Sequence, residues 1–223
     1  MNFDNETSSL QDGSGAPGDW NVQFRARQVP GDGNCLFHSI SLAYMFHKTK
    51  RHIQFQKDSA ELREMSSWMR KLAVENLRGK VRRSVRGGGR LYLQAGTSLP
   101  NDELVSSAGQ QYNISKEKYL ESMEVDSTWG GGPEIVSLCN ALKLPIHVYE
   151  LCWVHKRHPK LTGSEVGHGK WGVRRMACFG SPKWDGRGCL EILSCDCRFP
   201  DLKGGGRRGV KEGNHFMMLE RIR

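Results

Sequence analysis

The feature that most limits how this chain can fold is a glycine-rich turn that opens into an apolar helix. Residues 29–40 read VPGDGNCLFHSI, so a lone cysteine, Cys35, follows two glycines and an acid. Before the turn, residues 22–29 alternate apolar and polar side chains, as a strand does. After it, apolar side chains recur at helical spacing: Leu36, Ile40, Ala43 and Tyr44. The turn therefore joins a strand to a helix and delivers Cys35 to the start of that helix.

Three more helices are predicted further along the chain. Asp58 is expected to cap the next one, with Glu61 three residues later completing a capping box. A third helix, over residues 114–123, starts from Ser115. The last begins at Pro133, because proline suits the first turn of a helix.

Strands are predicted at residues 146–151, at 189–195 and in the final stretch GNHFMMLERI. Helices followed by strands, with few βαβ alternations, favour an α+β fold. We expect a disordered lead-in over residues 1–20 and one domain over residues 21–223.

The chain carries a net charge of +9, and its basic residues concentrate in glycine-rich loops at 78–90 and within 153–213. Such loops are usually solvated surface, although they are also able to contact an acidic partner or nucleic acid. They lack the interleaved aromatic residues of a nucleic-acid-binding surface. There is no apolar run of transmembrane length and no secretory signal. The seven cysteines follow no disulfide framework, so we expect reduced thiols, a cytoplasmic or nuclear location and no membrane association.

Two interpretations of Cys35 remain open on turn chemistry alone. An isolated cysteine is usually a small buried hydrophobic residue, as we expect for Cys139 on its helical face. A cysteine at a helix start is instead a candidate nucleophile, because unpaired N–H groups there stabilise a thiolate and an oxyanion. That role also requires a histidine base from elsewhere in the chain.

Metal binding is the competing chemistry for the other cysteines. Four cysteines and three histidines fall in one later segment: Cys178, Cys189, Cys195, Cys197, His155, His158 and His168. Structural zinc sites use paired Cys-x₂₋₄-Cys knuckles, whereas this segment offers only Cys195-x-Cys197. The pattern does not favour zinc, and we expect neither a metal nor an organic cofactor.

Three sequence blocks together resemble the ovarian-tumour (OTU) family of cysteine proteases, which act as deubiquitinases. The blocks are GDGNCLFHSI, WGGGPEIVSLCNALKLPIHVYE and GNHFMML, and they occur in the order found in that family. The resemblance implies a papain-like α+β core with a small mixed or antiparallel sheet packed between helices. It also implies ubiquitin or polyubiquitin chains as partners and hydrolysis of the isopeptide bond after the Gly-Gly tail of ubiquitin.

The same resemblance implies roles for individual residues. Cys35 matches the nucleophile, His215 the general base and Asp32 the acidic residue of the catalytic loop, while the N–H groups of residues 32–35 match the oxyanion hole. Substrate-channel or architectural roles are implied for a further set: Gly33, Asn34, Trp129, Gly130, Gly131, Glu134 and Asn214. We expect the block around Trp129 to pack its helix against the sheet.

One position departs from the family pattern. Many members carry Asp or Asn two residues after the histidine to orient the imidazole, but this chain has Met217 there. The orienting group is then Asp32, Asn21, Asp19 or a backbone carbonyl, or the site is a dyad. Met217 also favours an alternative function, that of an OTU-like module that binds ubiquitin without cutting it. A basic nucleic-acid-associated protein is the other alternative.

Overall fold

The computed structural model describes residues 9–12, 23–51, 59–79, 89–94, 96–154, 170–195 and 215–222. Within these ranges, the helices are α1 (Cys35–Thr49), α2 (Ala60–Leu77), α3 (Asn101–Gln111), α4 (Lys116–Glu124), α5 (Gly132–Leu142) and a 3₁₀-helix (Pro182–Arg187). The strands are β1 (Ser9–Asp12), β2 (Gln23–Arg27), β3 (Arg90–Tyr92), β4 (Ser98–Pro100), β5 (Ile146–Val154), β6 (Lys170–Phe179), β7 (Leu190–Cys195) and β8 (His215–Ile222).

Six of these strands form one mixed sheet in the order β1-β2-β8-β7-β5-β6. Strand β1 pairs antiparallel with β2 and parallel with β6, so the sheet closes on itself. Strand β8 lies between β2 and β7 and runs antiparallel to both. The last strand of the chain is thus interior to the sheet, which places His215 next to the turn between β2 and α1.

The two faces of this sheet belong to different apolar clusters because side chains alternate along each strand. On one face, Ile192 of β7 and Met218 of β8 pack with α1, α2 and α5. On the other face, Leu193, Met217 and Leu219 form a smaller cluster enclosed by the curved sheet. A third cluster joins α2, α3, α4 and α5. The predicted α+β class and the mixed sheet implied by the family resemblance are confirmed.

Helix α1 begins at Cys35 as predicted, and Ser115 caps α4 by accepting from the Lys118 N–H over 3.2 Å. The predicted cap of α2 is wrong. Ser59, and not Asp58, is the N-cap, and its hydroxyl accepts from the Leu62 N–H over 3.4 Å. Both residues suit a helix cap by type, and the backbone geometry selects the one directly before the first helical residue. Asp58 itself lies outside the described residues.

Six of the described elements were not predicted from the sequence: helix α3, the 3₁₀-helix and strands β1, β3, β4 and β6. Helix α3 carries only a short apolar face, formed by Leu104, Val105 and Ala108, although Asp102 and Glu103 in its first turn suit a helix start. Strand β6 lies in the stretch 153–213, for which only one strand was predicted, and its partner β5 determines its conformation. Strand β1 falls within residues 1–20, where disorder was expected. It is a strand because its backbone pairs with β2 and β6, and no local sequence pattern indicates that pairing.

None of the described helices has both the length and the hydrophobicity needed to span a bilayer. Every cysteine in the described ranges is a free thiol. Most of the basic loops, residues 80–88, 155–169 and 196–214, lie outside the described residues. The predicted acidic or nucleic-acid partner of those loops has no support from the described part of the chain.

Candidate active site

The glycine turn before α1 lies against the backbone of Ser127. Gly33 has a φ angle of +85°, in the left-handed region that favours glycine. A side chain at Gly33 would begin 2.0 Å from the carbonyl oxygen of Ser127, so no larger residue fits. On the other side of the turn, the Asn34 N–H donates to Asp32 Oδ1 over 2.9 Å. The turn is therefore held from both sides, and it presents Cys35 as the first residue of α1.

The thiol of Cys35 lies between the start of α1 and the start of β8. Cys35 is only 7% exposed, and burial is the largest influence, raising the pKa of its thiol. The backbone N–H groups of Phe216 and Leu36 act in the opposite direction, while the Asp32 carboxylate adds to the rise. Burial thus outweighs the stabilisation of a thiolate by these N–H groups, and the net direction of the Cys35 pKa is upward. The thiol needs a base in order to react.

His215 supplies a basic group close to the Cys35 thiol. It is the first residue of β8, and the residue after it, Phe216, directs its N–H at Cys35. The imidazole atoms Nδ1 and Cε1 lie 4.0 Å from the point where a side chain on Gly31 would begin. Burial lowers the pKa of His215, the nearby Asp32 raises it and His38 lowers it. A neutral imidazole therefore lies beside the loop that carries the protonated thiol.

Asp32 is an ionised carboxylate at the centre of this arrangement. Its Oδ1 accepts from the Asn34 N–H, and its Oδ2 lies 3.2 Å from Nε2 of His38. Burial, the largest influence, raises the pKa of Asp32, but these two hydrogen bonds and the charge of His38 together lower it. The structure thus brings together the three residues that the sequence named as catalytic, Cys35, His215 and Asp32.

Arg70 of α2 ties the turn to the segment that follows α4. Its Nη2 donates to Asn34 Oδ1 over 2.6 Å and to the Thr128 carbonyl over 2.8 Å, and its Nη1 donates to the Met123 carbonyl over 3.1 Å. The guanidinium also stacks on the ring of Phe37, 4.2 Å from its centroid. Asn34 therefore has an architectural role here, since its side chain couples the residue before Cys35 to a buried cation.

The tryptophan-glycine block is architectural in part. A side chain at Gly130 would begin 2.8 Å from Leu36 Cδ2, so this glycine lets the block pack closely on α1. Glu134 is buried, and it accepts from the Gly131 N–H over 2.8 Å and from the Tyr119 hydroxyl over 2.7 Å. Trp129 does not pack as expected. It is 59% exposed, because the contact at this point is made by the Gly130 backbone and not by the indole.

Met217 is fully buried in the cluster enclosed by the sheet. It provides no polar group for His215, so the departure noted in the sequence persists in the fold. Of the alternative orienting groups, Asp32 acts electrostatically on His215. Asp19, Asn21 and also Asn214 lie outside the described residues.

The family model for OTU-like cysteine proteases matches residues 30–182 of the chain. This chain belongs to the OTU family. The match includes Asp32 and Cys35 of the OTU domain and ends before His215, so the position of His215 in the candidate site rests on the fold.

A curated relative and several solved structures resemble this OTU chain. Ubiquitin thioesterase otu2 of Schizosaccharomyces pombe is 29% identical over 124 residues, which is 56% of this chain and 32% of the relative. The chain therefore matches about a third of that relative's length. The Hazara virus OTU bound to ubiquitin is 15% identical with a TM-score of 0.44, covering 97% of this chain and 88% of the other. The OTU protease of Farallon virus is 17% identical with a TM-score of 0.44, covering 98% and 99%.

Sequence reasoning missed three polar residues beside the catalytic loop. They are His38, one turn after Cys35, and Ser66 and Arg70, which are four residues apart on α2. Two signals were available. His38 is part of the GDGNCLFHSI block itself, and Ser66 and Arg70 fall on the face of α2 that also carries Leu62, Met69 and Ala73. A polar residue on an apolar helix face needs a buried partner.

A second cluster of reactive side chains lies elsewhere in the described ranges. Ligand-type atoms of His147, Cys189 and Glu191 fall within 4.8 Å of one another. However, Glu191 Oε1 already accepts from Arg221 over 2.7 Å and from the Tyr149 hydroxyl over 2.9 Å. Burial, followed by the charges of Arg175 and Arg221, lowers the pKa of His147 to about 4. Because the positive charges of Arg175 and Arg221 would repel a metal cation, we assign the cluster to a partly buried ion-pair network around Glu191. Cys197 and the three histidines of the zinc alternative lie outside the described residues.

Proposed function

We propose that this chain is a cysteine-type deubiquitinase that hydrolyses the isopeptide bond after the C-terminal Gly-Gly of ubiquitin. Cys35 is the nucleophile, His215 the general base and acid, and Asp32 the charged group beside His215. The observation that carries the proposal is the meeting of two distant segments. The Phe216 N–H is directed at the Cys35 thiol, so the start of β8, with its histidine, adjoins the start of α1.

The first half of the reaction forms a thioester. His215 accepts the proton of the Cys35 thiol while the sulfur attacks the carbonyl carbon of the terminal glycine. The resulting oxyanion accepts hydrogen bonds from N–H groups at the start of α1, which have no acceptor within the helix. The Asn34 N–H already donates to Asp32, so the Cys35 N–H is a donor that the start of α1 offers to the oxyanion. The intermediate collapses, the carbon–nitrogen bond breaks, and the lysine amine leaves with the proton held by His215.

The second half releases ubiquitin. His215 takes a proton from water as the water oxygen attacks the thioester carbonyl. The carbon–sulfur bond then breaks, and the departing sulfur takes the proton back, which regenerates the neutral pair. Since burial lowers the pKa of His215, the imidazole is neutral at the start of each half-reaction, as a base must be. Asp32 stabilises the imidazolium that forms in between. No cofactor takes part in these steps.

Two observations favour ubiquitin as the substrate. The curated relative from S. pombe is by name a ubiquitin thioesterase. In addition, Val125 and Trp129 expose large apolar side chains, 60% and 59% exposed, on the segment that contacts the catalytic turn. An apolar surface beside the site suits a protein substrate whose tail enters the site. The cytoplasmic or nuclear location expected from the free thiols belongs to the same proposal.

The test uses ubiquitin that carries a thiol-reactive group at its C-terminus. We expect one covalent adduct on Cys35, identified by intact mass and peptide mapping, and no adduct with Cys35→Ala. The matched control is Cys178→Ala, which replaces another described thiol and should react as the parent does. Cleavage of diubiquitin should likewise be lost in Cys35→Ala and His215→Ala. Diubiquitin cleavage that survives in Cys35→Ala would overturn the assignment.

The second candidate is a module that binds ubiquitin without cutting it. The buried, apolar Met217 at the usual orienting position and the raised pKa of the Cys35 thiol favour it. This function predicts ubiquitin binding by titration, with neither adduct formation nor diubiquitin cleavage by the folded protein.

A further inference from the structure

His38 is buried one turn after Cys35, and the proposed reaction gives it no task. It is 1% exposed, and it lies between two groups on different elements. Its Nε2 faces Asp32 Oδ2 at 3.2 Å, and its Nδ1 faces Ser66 Oγ of α2 at 2.6 Å. A buried imidazole with a partner at each nitrogen is held in one orientation.

The hydrogen bonds of Ser66 determine which atoms carry protons. Ser66 Oγ lies 2.7 Å from the Leu62 carbonyl, one turn earlier on α2, and donates to it. A carbonyl oxygen accepts only, and a serine hydroxyl has one proton to give. With that proton committed to Leu62, Ser66 Oγ must accept from His38, so Nδ1 carries a proton. A neutral imidazole with Nδ1 protonated would then present a bare Nε2 to a carboxylate.

Asp32 requires a donor at that second nitrogen. Its carboxylate is ionised and accepts only, so an unprotonated Nε2 at 3.2 Å would place two acceptors together. A ring that donates from both nitrogens satisfies both partners and pairs a positive charge with the Asp32 carboxylate. Among the described residues, His215 of β8, Arg70 of α2 and Cys35 of α1 also interact electrostatically with Asp32.

We propose that His38 is a positioning residue that, as an imidazolium donating to Ser66 and Asp32, anchors the catalytic turn to α2. The proposal rests on the function proposed above for Cys35 and His215. Asp32 is bound to the Asn34 N–H, so a carboxylate held by His38 holds the residue directly before the nucleophile. The same contact holds the Asp32 carboxylate in place beside His215, where imidazolium forms during the reaction, while the charge on His38 opposes part of the effect of Asp32 on His215.

The first test measures the protons directly. Nitrogen-15 NMR of protein labelled at histidine should show attached protons on both ring nitrogens of His38 at neutral pH, with the signals assigned by their loss in His38→Gln. In Ser66→Ala the Nδ1 signal should shift because its acceptor is gone. A His38 ring with a proton on only one nitrogen would overturn the proposal, whatever the activity of the protein.

The second test measures the consequence for the reaction. His38→Gln should lower kcat on a ubiquitin substrate roughly 10- to 100-fold with little change in KM, since a misplaced reacting group costs rate and not binding. Ser66→Ala should lower kcat about fivefold, the loss expected for one hydrogen bond. Two matched controls should leave kcat unchanged: His47→Gln, at the far end of α1, and Ser41→Ala, a buried serine of α1 whose hydroxyl has no partner among the described residues.

The outcomes separate this proposal from the proposed function. In one outcome, the parent protein forms no ubiquitin adduct, His38 carries two ring protons, and His38→Gln changes the rate at which iodoacetamide alkylates Cys35. The positioning role of His38 then stands and the deubiquitinase assignment fails. In the other outcome, the parent protein cleaves the ubiquitin substrate and folded His38→Gln cleaves it at the same rate. The positioning role of His38 then fails and the deubiquitinase assignment stands.

Discussion

The carbonyl oxygen of Ser127 occupies the space where a side chain on Gly33 would begin, 2.0 Å from that point. Gly33→Ala must therefore move the catalytic turn away from the 125–129 segment, and its φ of +85° adds strain. We expect the variant to lose adduct formation with the ubiquitin probe. Its free energy of unfolding, measured in urea, should fall by about 2 kcal/mol. The control is Gly186→Ala, where an added side chain meets nothing within 4 Å. Equal rates of adduct formation for the two variants would contradict the requirement for glycine at position 33.

Arg70→Met tests the buried cation that joins Asn34, Met123 and Thr128. Three hydrogen bonds to a charged group, at about 1.5–3 kcal/mol each, are lost. Because Arg70→Met also removes the cost of burying the guanidinium, we expect the free energy of unfolding to fall by about 3 kcal/mol. The rate of adduct formation should fall as well, since Asn34 loses its donor. Arg174→Met is the matched control. The Arg174 side chain, which pairs with Glu150, is 60% exposed. The free energy of unfolding should therefore change by less than about 1 kcal/mol.

The pH dependence of Cys35 follows from the direction of two pKa shifts. Burial raises the pKa of the Cys35 thiol, so its alkylation by iodoacetamide should still be rising above the ordinary cysteine pKa of about 8.5. Burial lowers the pKa of His215, so the acid limb of kcat/KM should lie below the ordinary histidine pKa of about 6.5. Peptide mass spectrometry at Cys35 and initial rates across pH measure both. An alkylation rate that is constant above neutral pH would contradict the first expectation.

Tyr119→Phe removes a donor from the buried Glu134 carboxylate. Burial raises the pKa of Glu134, with the Gly131 N–H and the Tyr119 hydroxyl opposing that rise. When a carboxyl group has a higher pKa in the folded than in the unfolded state, the folded protein loses stability as the pH rises through the folded-state pKa. The reason is that the buried group must then carry a charge. We expect Tyr119→Phe to destabilise by about 1–2 kcal/mol at about pH 7 and by less at about pH 5. Urea unfolding at the two pH values measures this.

The control for that prediction is Tyr112→Phe, since Tyr112 is 64% exposed. It should change the free energy of unfolding by less than about 0.5 kcal/mol at both pH values. A loss at Tyr119 that did not depend on pH would mean that Glu134 is ionised throughout, contrary to the direction of its pKa shift.

Local patterns were sufficient to predict several elements and the principal candidate residues. The helix start at Cys35, the cap at Ser115 and the strand at 146–151 follow from short-range spacing and turn chemistry, and each is present in the structure. Helix α3 and strand β6 were missed because the apolar face of α3 is short and the apolar alternation of β6 is interrupted at Arg175. Their partners elsewhere in the chain determine them, as the β5–β6 pairing shows.

The candidate site divides in a similar way. The glycines around Asp32 identify the turn from the sequence, since only a tight turn requires them there. The use of Asn34 as an acceptor for Arg70, 36 positions later in the chain, depends on α2 packing beside the turn. The exposure of Trp129 was also not predictable, because an indole in an apolar block is usually buried.

By itself, the sequence determined that a lone cysteine begins a helix after a glycine turn and that a histidine leads the final strand, because turns, caps and alternation are properties of neighbouring residues. The tertiary structure alone decided that these two residues meet, that burial keeps the Cys35 thiol protonated and the His215 imidazole neutral, and that α2 supports the turn through Ser66 and Arg70. Burial and long-range hydrogen bonds depend on how elements pack, and packing joins residues that are distant in the chain.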